Sequence, residues 1–188
     1  MNVFDFDNTI YDGESAIDFF LYYLKKDPKL IRYLPSIIVA MHKYRKGTLS
    51  IEQALSQYGA VVGEYIVAHG GVGDEIEDFW NRHMKKIKPL YADLRSEDDL
   101  VISCSPEFSL DVICKRLGIA RYIGTVVDEK TGEFKRLCFR ENKVKAFEEL
   151  YPGQTIDKFY TDSVNDTPLI EISREAYLVK GNKVTKIK

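Results

Sequence analysis

Two aspartates and a threonine at alternate positions stand near the start of the chain, in Asp5-Phe6-Asp7-Asn8-Thr9. Asp5 lies inside the apolar run Val3–Phe6, where an unpaired charge is costly and calls for compensation. Ser103-Cys104-Ser105 ends a second apolar run, Lys143 stands near the start of a helical stretch, and Asp162 and Asp166 follow a third. Together these groups would place four carboxylates, a hydroxyl and an ammonium at one spot. Four carboxylates repel unless a cation neutralises them. Oxygen ligands without His or Cys suit a hard ion, Mg²⁺ rather than Zn²⁺, and such an ion keeps positions open for water and a phosphate. The lysine and serine suit the remaining phosphoryl oxygens, one by charge and one by hydrogen bond. A central carboxylate can act as nucleophile and form an aspartyl-phosphate. A second, two residues on, can protonate the leaving oxygen and later activate water.

This chemistry needs elements that deliver each group to one rim. Val3–Phe6 reads as a short strand, Asp99–Cys104 as a buried parallel strand, and Lys158–Thr161 as another ending at Asp162. Tyr122–Val127 and Ala176–Val179 are further strands. Thr131-Gly132 and Gly181-Asn182 are hairpin turns, the second leading into a strand over Val184–Ile187. Helices are expected over Pro106–Leu117 with Gly118 as its cap, Asn142–Leu150, and Thr167–Ser173. Strands alternating with helices predict an α/β fold with a doubly wound, mostly parallel, Rossmann-like sheet. Ligands of such sheets bind outside the carboxyl ends of the strands, where every polar cluster above falls. Residues 14–88 differ in texture. Ser15 is a plausible cap of a first helix, with Ile17, Phe20, Leu21 and Leu24 at helical spacing. Ile37–Lys46, Ile51–Val67 and Asp74–Lys86 read as helical, and Pro89 closes the block. The expected organisation is a core of residues 1–13 and 89–188, with a helical cap, 14–88, inserted after the first strand.

Asp5-Phe6-Asp7-Asn8-Thr9 resembles the first motif of the haloacid dehalogenase superfamily. The strand ending in Ser103, the Lys143 segment and the Asp162/Asp166 pair resemble its second, third and fourth motifs, in the right order. The resemblance covers nearly the whole chain. The position of the helical insertion, the Ser103–Glu107 stretch and the Thr125…Gly132 hairpin are similar to the phosphoserine-phosphatase-like branch. The resemblance implies Asp5 as nucleophile and Asp7 as general acid/base. It implies Asp5, the Asp7 carbonyl and Asp162 as Mg²⁺ ligands, with Asp166 completing or orienting that shell. Ser103, Lys143 and Thr9 are expected to bind phosphate, although Lys145 competes with Lys143 for the third motif. Glu14 resembles a substrate-facing acid, and a solvated acid in a first helical turn is the equal alternative. Thr161 stands where the family often has Gly.

The 188 residues carry 27 Lys plus Arg against 29 Asp plus Glu, a net charge of −2. Ordinary globular composition excludes a disordered or collagen-like chain, and the absence of a strong positive charge removes the simplest case for nucleic-acid binding. Cys104, Cys114 and Cys138 form no metal or disulfide pattern and suit a reducing cytoplasm. Cys104 reads as a buried structural thiol, Trp80 and the tyrosines as packing residues, and His42, His69 and His83 as surface. Residues 25–46 hold seven basic side chains and one acid, a net +6 interleaved with aliphatic residues. The plain reading is a solvated helical face. The sharper one is a peripheral contact with anionic lipid or a membrane. The sequence thus points to a Mg²⁺-dependent phosphatase of a small phosphomonoester such as a phosphoserine-like metabolite. Its alternatives are a lipid-phosphate phosphatase at a membrane surface and a phosphotransferase or phosphomutase.

Overall fold

The computed structural model describes residues 1–33 and 73–188 and, between them, residues 35, 39, 43, 53 and 63. The helices expected over Ile37–Lys46 and Ile51–Val67 therefore lie outside the described residues, single positions apart.

A seven-stranded sheet forms the centre. Its strands are β1 (Asn2–Phe4), β2 (Leu100–Pro106), β3 (Arg121–Val127), β4 (Phe134–Arg136), β5 (Lys158–Thr161), β6 (Glu175–Lys180) and β7 (Lys183–Lys186). Their spatial order is β4-β3-β2-β1-β5-β6-β7. β1 lies in the middle and pairs in parallel with β2 and β5; β3 and β6 extend the parallel core, and only β4 and β7 are antiparallel. The doubly wound, mostly parallel expectation holds.

Alternation along the strands builds two cores. Val3, Leu100, Ile102 and Phe159 face one, while Phe4, Val101 and Tyr160 face the other. The first is covered by α5 (Glu141–Leu150) and α6 (Thr167–Ile172) through Ala146, Phe147 and Leu169. The second is covered by α3 (Pro89–Leu94) and α4 (Glu107–Leu117) through Tyr91, Leu110 and Ile113. Helices on both faces explain why these strands read as near-continuous apolar runs. α3 was not expected. Pro89 does end the preceding segment, but it also takes the first position of a new short helix, where its missing N–H costs nothing.

Helix α1 (Ser15–Lys26) opens the insertion, followed by a short 3-10 helix, Pro28–Tyr33. α2 (Gly73–His83) and a 3-10 turn at Met84–Lys86 bring the chain back. Entering and leaving segments run side by side: the Asp12 amide bonds the Lys86 carbonyl at 2.7 Å, and the Lys88 amide bonds the Ile10 carbonyl at 2.8 Å. Phe79 and Trp80 of α2 are fully buried, and the Trp80 indole donates to the Ser109 carbonyl at 3.1 Å. The insertion also touches the β3–β4 turn. A Cβ at Gly132 would lie 2.5 Å from the Gly63 Cα, and Gly132 has φ +72°, so the contact demands glycine on both counts. Among the described residues no helix is long and apolar enough to cross a membrane.

Candidate active site

β1 delivers Asp5 at its carboxyl end, and the Asp5 amide still bonds the Tyr160 carbonyl of β5 at 2.9 Å. The chain then turns sharply. The Phe6 carbonyl accepts from the amides of Thr9, Ile10 and Tyr11, and Asn8 takes a left-handed conformation at φ 57°. Asp7 thereby stays on the rim while the chain leaves for the insertion.

Asp5, Lys143 and Asp166 form a buried line. The Lys143 ammonium donates to the Asp5 carboxylate at 2.9 Å and to Asp166 at 2.8 Å, and none of the three is more than 7% exposed. Burial alone would discharge the lysine, but Asp5 and Asp166 flank it and hold its pKa above the ordinary value. Burial pushes the Asp5 carboxyl well up; Lys143 opposes this, while Asp166 and Asp7 add to it. Lys145, two residues along α5, is exposed. Helical phase separates the two candidates for the third-motif lysine: position 143 faces the sheet and position 145 faces water.

Asp166 is also bound by the Thr161 hydroxyl at 2.8 Å. Its carboxylate is engaged by Lys143 and Thr161, so it orients the lysine. Of the two expected parts for Asp166, completing or orienting the metal shell, these bonds favour an orienting one. Thr161, fully buried, supplies a bond that a glycine there would lack.

Asp7 is gripped from two sides. Its Oδ1 accepts from the Ser15 amide at 2.7 Å and its Oδ2 from the Ser105 hydroxyl at 2.8 Å. The two serine hydroxyls lie 2.9 Å apart. Burial raises the Asp7 pKa against the pull of Ser15 and Ser105, the direction that suits a proton donor. Ser103 is fully buried on β2, and its Oγ accepts from the Ser105 amide at 3.1 Å. The β2–β3 register shifts between Ile102 and Pro106, the irregularity expected where a strand re-aims side chains at a site.

Two expected residues are not brought in. Thr9 is buried, but its hydroxyl has no hydrogen-bond partner and lines an apolar recess with Phe4, Ile10, Tyr91 and Tyr160. The reason is the turn after Asp7, which rotates position 9 away from the rim. The structure thus does not bring Thr9 to the groups that meet at Asp5. Glu14 is exposed and accepts from the Asn8 side chain at 2.8 Å, at the edge of the site.

Two residues were missed. Ser105 was quoted only within the stretch that ends the second apolar run, yet it holds Asp7. Lys88 was not singled out, yet it is only 6% exposed; its ammonium donates to the Asn8 carbonyl and to Gly181 at 3.1 Å. The only signal for Lys88 was its place before Pro89, where the insertion ends. Cys104 is half-buried, its thiol pushed up to about 11 by burial. His83 is half-buried and stacks on Phe79 at 4.2 Å; His42 and His69 lie outside the described residues.

Whether the donors suit a cation follows from their charge. Burial raises the proton affinity of Asp5, Asp7 and Asp162 alike, so their negative charge is under-compensated by the protein. Among the described residues no three acidic, His or Cys side chains converge enough to enclose a metal by themselves. Charge of this kind on an oxygen-only donor set fits a hard divalent ion held by few carboxylates and completed by carbonyl and water.

A family model described as haloacid dehalogenase-like hydrolase matches residues 3–171. No curated protein matches the chain by sequence. A protein of unknown function from Bordetella pertussis Tohama I has a similar structure: TM-score 0.73, 20% identity, over 91% of this chain and 85% of that one. A phosphoserine phosphohydrolase-like protein from Francisella tularensis subsp. tularensis SCHU S4 gives TM-score 0.65 and 20% identity over 94% and 86%. A phospho-aspartyl intermediate analogue of phosphoserine phosphatase gives 0.56 and 16% over 93% and 83%. At these identities the likenesses speak for the fold.

Proposed function

Because the chain belongs to the haloacid dehalogenase-like hydrolase family, we propose that it is a Mg²⁺-dependent phosphatase that hydrolyses a small phosphomonoester through a phosphoryl group carried on Asp5. The observation that carries this reading is the buried Asp5 carboxylate held by Lys143, with Asp7 two residues on and fixed by Ser15 and Ser105.

An Asp5 oxygen attacks phosphorus, and the bond from phosphorus to the substrate oxygen breaks. Asp7 gives its proton to that leaving oxygen. Water then attacks the phosphorus of the acyl phosphate, the bond to Asp5 breaks, and Asp7 takes the water's proton as phosphate forms. Lys143 and Ser103 hold phosphoryl oxygens during both steps, one by charge and one by hydrogen bond. Asp5, the Asp7 carbonyl and Asp162 would hold Mg²⁺, which supplies charge neutralisation at the phosphoryl group. Residues 14–88 are read as a cap that selects substrate and limits water, rooted on the core, 1–13 and 89–188, by the paired linkers. A phosphoserine-like metabolite is the substrate class we propose, after the names of two solved structures of similar fold, the phosphoserine phosphohydrolase-like protein and phosphoserine phosphatase.

The test is turnover of an aryl phosphate with and without metal. Release of inorganic phosphate should stop on chelation, return with Mg²⁺, and be absent in Asp5→Asn, which should retain the parent's circular dichroism. Turnover by well-folded Asp5→Asn, or turnover indifferent to chelation, would contradict the reading. Transfer of the phosphoryl group to an added alcohol in place of phosphate release would favour a phosphotransferase.

A further inference from the structure

Seven large hydrophobic side chains are exposed among the described residues, and three of them, Leu21, Ile31 and Val39, fall within one short stretch. Ile31 is 61% exposed. The same stretch exposes Lys25, Lys26, Lys29, Arg32 and Lys43, with Asp27 its only acid. Exposed apolar side chains scattered singly need no explanation. Aliphatic side chains interleaved with cations on one stretch do.

We propose that the surface carried by Leu21, Lys25, Lys29, Ile31, Arg32 and Val39 docks the protein on an anionic lipid bilayer. The aliphatic groups enter the boundary between headgroups and acyl chains, and the cations meet lipid phosphates, the division of labour of interfacial segments. Charge distribution supports this occupant. In sequence, residues 25–46 carry +6 while the rest of the chain carries −8, so an anionic surface attracts this stretch and repels the remainder. A nucleic-acid strand is the weaker match, because such sites stack bases on exposed aromatic rings and, among the described residues of the stretch, the exposed large apolar groups are aliphatic. The docking proposal draws on none of the residues assigned to the reaction at Asp5, so the two proposals fail separately.

The experiment is co-sedimentation of the full chain with vesicles of phosphatidylcholine alone, and with vesicles in which phosphatidylglycerol replaces part of it. Association is expected with the anionic vesicles only, weakening as salt rises. Each surface cation contributes about fivefold, so Lys25→Gln/Lys29→Gln/Arg32→Gln should lower partitioning by about a hundredfold. Ile31→Asp should lower it as well. A triple Lys→Gln variant at exposed Lys130, Lys158 and Lys183, far from this stretch in sequence, should leave it within a fewfold of the parent. Turnover of a soluble aryl phosphate should be the same in all variants, which separates lost docking from lost folding. The proposal is overturned if the intact chain ignores anionic vesicles, if the cap variants bind like the parent, or if the remote variant loses as much.

Discussion

The Asp7 carboxylate accepts one bond from the first turn of α1 and one from the end of β2. The Ser15 amide is one of the orphan donors of a helix start, so Asp7 completes that helix while the helix fixes Asp7. Removing the Ser105 hydroxyl should free one carboxylate oxygen. Ser105→Ala should slow turnover on the order of 10- to 100-fold, the usual cost of a misplaced catalytic group, and Ser105→Thr should recover part of it. Aryl phosphates with good leaving groups need little help from an acid in the first step. In rapid mixing Ser105→Ala should therefore release a burst of phenolate followed by slow phosphate; a linear time course with both products slowed together would reduce Ser105 to a structural role. Lys143 has a different signature. Lys143→Met leaves Asp5 and Asp166 buried without their cation, and should cost about 3–5 kcal/mol in denaturant unfolding. A variant as stable as the parent would contradict the charge account. Asp5, Asp7, Ser103 and Asp162 were legible in the sequence because their spacing is dictated by the strand ends that carry them. Ser105 and Thr9 were not, because a hydroxyl's partner is chosen by the local path of the backbone: a register shift in β2 and a left-handed turn at Asn8.

At the level of elements, the two linkers between core and insertion are tied by more than backbone bonds. Asp18 of α1 accepts from the Tyr11 hydroxyl and from the Lys86 ammonium, both at 2.5 Å. Partial burial disfavours its charge, but the Lys86 and Tyr11 bonds more than offset this and hold its pKa below the ordinary 3.8. A depressed carboxyl pKa gives stability that is present above the unfolded value and lost as pH falls through the folded one. Asp18→Asn should therefore lower stability by about 1–3 kcal/mol at neutral pH, with the gap to the parent closing in acid. Thermal melts across that range check it; a gap that is constant with pH would contradict the assignment. Sequence periodicity found α1, α2 and the strands of the parallel core because each has one dominant apolar pattern, whereas β4, Phe134–Arg136, was implied only by the hairpin turn before it. It missed α3, six residues whose proline reads equally as a stop and as a first helical position. It also missed Lys88, whose burial depends on a hairpin more than ninety residues away in sequence.

Over the whole molecule the net charge of −2 is the sum of unlike parts, a basic stretch in the insertion and an acidic remainder that includes the site. The fold was legible because both faces of the sheet are covered, which forces long apolar strands and places their polar ends on one rim. Substrate choice was not, because it depends on side-chain orientations across the insertion that no local pattern encodes. At this scale, under-compensated carboxylates predict that Mg²⁺ stabilises the folded state. Saturating Mg²⁺ at 100 times its dissociation constant should add about 2.7 kcal/mol, and Asp162→Asn should lose most of that gain. The central claim, that Asp5 carries the phosphoryl group, is tested most directly by acid-quenching the enzyme during turnover of an aryl phosphate and mapping its peptides by mass. One phosphoryl group on the peptide containing Asp5, absent from Asp5→Asn, is the predicted result. A phosphoryl group on Ser103 or Cys104, or turnover with no phosphorylated peptide at any quench time, would contradict it.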